Sequence, residues 1–188
     1  MKITQIKTQI AVVLAIFIGL TYCPKTFSAS DNESGERLKW DSQTRLSWKD
    51  FKGKSNKNSM LAAETNSGIH FSYQCSGNKM DFDIYAYFDK EKSWTKPNST
   101  DVVLNHEQLH FDITELYARK MRQKFLSLRN PCKKSKAELQ GVFSALMKEH
   151  RTMQNTYDRE TNHSLKEKEQ AKWQADIESE LLKLKEFK

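Results

Sequence analysis

Apolar residues occupy every second position through one stretch of the chain: Met80, Phe82, Ile84, Ala86 and Phe88 alternate with Asp81, Asp83, Tyr85 and Tyr87. A period of two marks a strand with one face buried. Just upstream, residues 68–75 (GIHFSYQC) are rich in β-branched and aromatic side chains, and Gly77-Asn78 supplies a turn, so the two runs are expected to pair as an antiparallel hairpin. Beyond a loop containing Pro97 the period changes. Leu104, Leu109, Ile113, Leu116, Tyr117, Met121, Phe125 and Leu128 recur at helical spacing, which predicts a helix from a cap at Asp101 to about residue 129, ahead of Pro131. A second helix opens at the capping box of Ser135 and Glu138 and carries Leu139, Phe143, Leu146, His150, Met153 and Tyr157 on one stripe. A third, roughly residues 164–186, carries Trp173, Ile177, Leu181 and Leu184. Leu38, Trp40, Leu46, Trp48 and Phe51 are spaced irregularly, as in short strands or a packed loop. Strands first and helices afterwards give an α+β class.

The first thirty residues follow another logic. Lys2 and Lys7 precede an unbroken apolar run, Ile10 to Leu20, which closes on small residues at Ser28 and Ala29. A cationic start, a short apolar run and a small-residue exit describe a signal for export, and the run is too short to span a membrane. The expected organisation is a signal peptide at 1–29, a polar leader at 30–37 and a single domain at 38–188, secreted or periplasmic, with no transmembrane span once the signal is removed. Cys23, after Leu20-Thr21-Tyr22, also permits a lipoprotein reading, although Tyr22 is bulky where a small residue is wanted. Export leaves Cys75 and Cys132 as an even pair in an oxidising compartment, and a disulfide between them is expected.

The 188 residues carry 31 Lys and Arg against 24 Asp and Glu, a net charge of +7. Removing Lys2, Lys7 and Lys25 with the signal leaves 28 against 24, or +4, scattered along the chain. So weak a surplus argues against nucleic acid as a partner.

Candidate chemistry sits inside the first long helix, at His106-Glu107-Gln108-Leu109-His110. Four residues advance a helix by about 400°, so both imidazoles leave one face a turn apart and can share one metal ion. Zinc suits neutral imidazole, and Glu107 is placed to take a proton from a zinc-activated water. These are the parts of a metallopeptidase acting on a peptide or protein substrate. A catalytic zinc needs a further protein ligand. Asp112 and Glu115 lie off the histidine face, and His70 and His150 read as packed histidines. That leaves the polar cluster at 157–163 between the second and third helices: His163 as the third ligand, Asp158 or Glu160 as its hydrogen-bond partner or as the ligand instead, and Tyr157 as a donor to the oxyanion. Two other readings stand beside this one, a non-catalytic binding module of the cell envelope and an amidase of cell-wall peptides.

Residues 106–120 (HEQLHFDITELYARK), with Trp48-Lys49-Asp50-Phe51, Ser93-Trp94, residues 157–163 (YDRETNH) and Gln170 to Trp173, resemble a bacterial domain-of-unknown-function family of predicted secreted zinc-dependent proteases. The resemblance runs from about Leu38 to Leu184. It implies a zincin-like fold and a secreted metallopeptidase with His106 and His110 as zinc ligands and Glu107 as base. At Ser164 this chain differs from the many members of that family that have Gly there.

Overall fold

The computed structural model describes residues 26–28 and 36–188, Thr44 excepted. Six strands and three long helices follow in the α+β order the sequence predicts: β1 (Thr26–Ser28), β2 (Arg37–Lys39), β3 (Ala63–Glu64), β4 (Ser67–Ser76), β5 (Lys79–Asp89), β6 (Trp94–Thr95), α1 (Asp101–Leu126), α2 (Lys136–Thr161) and α3 (Glu167–Lys183). The hairpin is β4 and β5, paired antiparallel from Ser67 opposite Phe88 to Ser76 opposite Lys79. Gly77 turns the chain at φ +61°, a left-handed conformation open to glycine without steric penalty. Short strands flank the hairpin in the order β1-β4-β5-β2, and β3 pairs with β6 as a separate ribbon.

The alternation along β5 buries Ile84, Ala86 and Phe88 on one face, where they meet Ile69, Phe71, Tyr73 and Cys75 of β4. α1 lies on that face. Phe71 packs on Phe125 with ring centroids 4.6 Å apart, and Phe88 meets Phe111 at 5.8 Å. α2 and α3 cover the opposite side of α1, which is therefore enclosed between the sheet and two helices. Thr100, one residue before the predicted cap, caps α1 by accepting from the Val103 N–H. The capping box of α2 is formed by Ser135 and Glu138. Cys75 and Cys132 are bonded, with Cα atoms 5.8 Å apart, and tie β4 to the turn after α1.

No helix among the described residues is long and apolar enough to cross a membrane. The proposed signal lies outside the described residues except for Thr26–Ser28, which pairs along β4 as β1, and Cys23 lies outside them too.

Candidate metal centre

From His106 to Arg119 every residue of α1 is buried except His110, which is half-buried. Such a helix must satisfy its polar side chains within the protein. Gln108 donates to Asp112 at 2.9 Å and accepts the Leu46 N–H at 2.8 Å, and Asp112 also accepts from Trp40 Nε1 at 2.8 Å. Glu115 accepts from Arg119 at 2.9 Å and lies 3.3 Å from Arg122. Both carboxylates thus have structural partners, as their position off the histidine face predicted. Glu107 differs. It is 4 % exposed, and its Oε2 has no protein partner.

His106 and His110 direct their Nε2 atoms toward one point, 3.2 Å apart. Asp158 Oδ1 completes a triangle at 3.1 Å from His106 Nε2 and 2.9 Å from His110 Nε2. Burial alone would raise the Asp158 pKa, but hydrogen bonds and charge from the two imidazoles hold it well below the usual carboxylate range. Burial would likewise lower His110, and Asp158 and Glu107 override it and raise the ring's pKa.

The far nitrogens decide what those Nε2 atoms offer. His106 Nδ1 lies 3.0 Å from Gln170 Oε1, and His110 Nδ1 lies 2.6 Å from Gln154 Oε1. A ring that donates from Nδ1 keeps its Nε2 lone pair. Two such lone pairs and a carboxylate oxygen, packed within 3.2 Å of one another, repel unless a proton, as in the hydrogen bonds to Asp158, or a metal ion lies among them. Ligand atoms 2.0–2.1 Å from a tetrahedral zinc stand about 3.3 Å apart. The observed triangle is close to that size, so this donor set fits zinc with a fourth position open.

Of the alternatives the sequence left for a third donor, the geometry favours Asp158 over His163 and Glu160. Among the described residues, His106, His110 and Asp158 form a group that could hold a metal ion, and His163 is outside it. The His163 ring is half-exposed, with Nδ1 3.5 Å from Asp158 Oδ1 and its centroid 6.4 Å from that of His106. Glu160 is turned away and accepts from Trp173 Nε1 at 2.9 Å. Tyr157 is fully buried behind the histidines, its ring stacked on His106 at 4.5 Å, and its hydroxyl donates to Gln170 Oε1 at 2.7 Å. A hydroxyl so placed holds the site together and does not reach an oxyanion in the cleft.

The bacterial family of unknown function DUF922 matches residues 32–164. The chain belongs to this family. No curated protein and no solved structure matches it.

Sequence reasoning overlooked Gln154, whose contacts join α2 to this cluster. Its Nε2 donates to the His110 carbonyl at 2.9 Å and stands 3.0 Å from His150 Nε2. His150 is the buried, hydrogen-bonded histidine expected, and Thr114 Oγ1 lies 3.0 Å from the same nitrogen. The missed signal was helical phase. The cluster at 157–163 reads as a link, yet α2 runs on to Thr161, so His150, Gln154, Tyr157, Asp158 and Thr161 share the face turned toward α1.

His106, Glu107, His110, His150, Gln154 and Asp158 line a cleft of about 770 Å³. One wall is the chain from Met60 to Ser67, pinned to α1 by Thr65 Oγ1 donating to the Glu107 carbonyl at 3.1 Å and by a 2.7 Å contact between Ser67 and Thr114. The other is the end of α2 and the turn of Asn162, His163, Ser164 and Leu165. Asn162, His163 and Ser164 are all left-handed, at φ 49°, 50° and 73°. Three consecutive non-glycine residues in that region store strain beside the cleft.

Proposed function

We propose that the protein is a zinc-dependent metallopeptidase of zincin type, exported through its N-terminal signal, with His106, His110 and Asp158 as ligands. The observation that carries the reading is the pairing of that triangle with Glu107, which lines the cleft and whose buried Oε2 has no protein partner. An unpaired buried carboxylate oxygen is unfavourable for stability and is expected where a carboxylate serves chemistry.

A zinc ion bound there would supply a Lewis acid that makes water acidic near neutral pH. Asp158 and the two Nε2 lone pairs would hold it, with Gln154 and Gln170 fixing the ring tautomers. Glu107 accepts the proton of the attacking water and returns it to the leaving amine. Donation to the developing oxyanion passes from Tyr157, which is occupied behind the histidines, to His163, whose ring lines the cleft. The cleft volume lies within the range of ligand pockets, and its wall along β3 runs beside Glu107, where an extended peptide could lie.

The test is hydrolysis of an unbiased peptide library with and without a chelator, repeated with Glu107→Gln. A general base is worth about 10²–10⁴ in rate. Glu107→Gln should lose that factor while keeping its metal. Parent-rate turnover by Glu107→Gln, or activity indifferent to the chelator, would overturn the mechanism.

A further inference from the structure

We propose that Gln170 is the positioning residue for His106, which makes α3 part of the metal site and not only a cover for α1. The inference rests on the zinc reading above. α3 begins at Glu167, beyond residue 164, where the family match ends, so this contribution comes from outside the matched stretch.

Gln170 is 7 % exposed and receives two donors on one oxygen, His106 Nδ1–H at 3.0 Å and the Tyr157 hydroxyl at 2.7 Å. Its Nε2 is buried without a protein partner. A side chain selected for packing alone would not leave a buried amide nitrogen unpaired, and leucine would fill the volume without that penalty. What leucine lacks is the acceptor. The Gln170 carbonyl keeps the His106 proton on Nδ1, and so leaves the Nε2 lone pair facing Asp158 and His110. With a donor in that place the proton would move to Nε2, into the triangle, and His106 could no longer serve as a ligand.

Tyr157 completes the arrangement. Its ring stacks on His106 at an interplanar angle of 22°, while its hydroxyl anchors the same Gln170 oxygen. The imidazole is thereby held in plane by one contact and in tautomer by the other. Its partner is a neutral amide where histidine ligands commonly have a carboxylate or a backbone carbonyl, so the orientation is fixed without adding negative charge.

The experiment compares zinc affinity, by competition with a chelator of known affinity, and thermal stability of the metal-free protein for the wild type, Gln170→Leu and Gln170→Glu. Partners of this kind are worth about 10- to 100-fold in metal affinity. Gln170→Leu leaves the Tyr157 hydroxyl and the His106 Nδ1–H without their acceptor, so some loss of melting temperature is expected, and it should in addition bind zinc about 10- to 100-fold more weakly. Gln170→Glu retains both acceptor contacts and should return the affinity to within a few-fold of wild type. A merely structural role would lower the melting temperature and leave affinity unchanged, which overturns the proposal. Failure of Gln170→Glu to restore binding would also overturn it, even if Gln170→Leu did not fold, because the acceptor would then not be what matters. Absence of zinc binding by the unmutated protein would instead overturn the metal reading itself.

Discussion

Replacing Asp158 and His163 in turn by alanine separates the proposed ligand set, His106, His110 and Asp158, from the one expected by elimination. Asp158 Oδ1 stands 3.1 and 2.9 Å from the two Nε2 atoms, whereas His163 presents only a half-exposed ring 3.5 Å from Asp158. Structural zinc sites with four ligands bind with about 10–16 kcal/mol, or about 3 kcal/mol per ligand. At about 1.4 kcal/mol per decade, loss of Asp158 should weaken zinc binding by about two orders of magnitude. The carboxylate also neutralises charge at a buried site, which makes that figure a lower bound. His163→Ala should change zinc affinity by no more than a few-fold, since its ring contributes no atom to the triangle. Competition titration against a zinc chelator measures both, and Asp158→Asn serves as a shape-preserving control that should fall between the alanine variant and the wild type. A large loss in His163→Ala with wild-type affinity in Asp158→Ala would refute the assignment.

Three further outcomes follow from the fold. Replacing Cys75 and Cys132 by alanine opens a loop with a sequence separation of 57, and denaturant unfolding should register a loss of about 4 kcal/mol; an unchanged midpoint would show that the crosslink does not limit the unfolded chain. Ser164→Gly relieves a left-handed residue at φ 73° and should raise stability by about 0.5–1 kcal/mol after the entropy of glycine is set against the strain; a lower melting temperature would contradict this. Burial, with His110 and Arg151 adding to it, pushes His150 from 6.5 down to about 4, so its neutral ring contributes stability that is complete above pH 6.5 and lost as pH falls toward 4. Relative to His150→Gln, the metal-free wild type should lose about 3 kcal/mol across that window, and parallel pH profiles would disprove the assignment.

The parts of the fold visible in the sequence are those set by local periodicity. Met80 to Phe88 announce β5 because every second residue is apolar, and Ser135 with Glu138 announces α2 because the two groups bond each other's backbone within one turn. His106 and His110 are legible for the same reason, since a helix alone places them on one face. The third member of the triangle depends on where α2 ends. Read as a link, residues 157–163 have no defined directions, and His163 is then as good a candidate as any. Once α2 continues to Thr161, its phase turns Asp158 toward α1, carries Glu160 about 200° round onto Trp173, and leaves His163 beyond the helix in a left-handed turn. The roles of Gln154 and Gln170 were illegible for another reason. Each acts through a contact made across two helices, and an uncharged amide at a helical position carries no local signature of that use.

The central claim is that this chain holds one zinc ion on His106, His110 and Asp158, and metal content tests it most directly. Protein purified without added chelator and dialysed against metal-free buffer should retain about one zinc per chain by atomic absorption, and a His106→Ala/His110→Ala double variant prepared in the same way should retain none. Wild-type protein that neither retains zinc nor takes it up at micromolar concentration, or a double variant that keeps its zinc, would contradict the account.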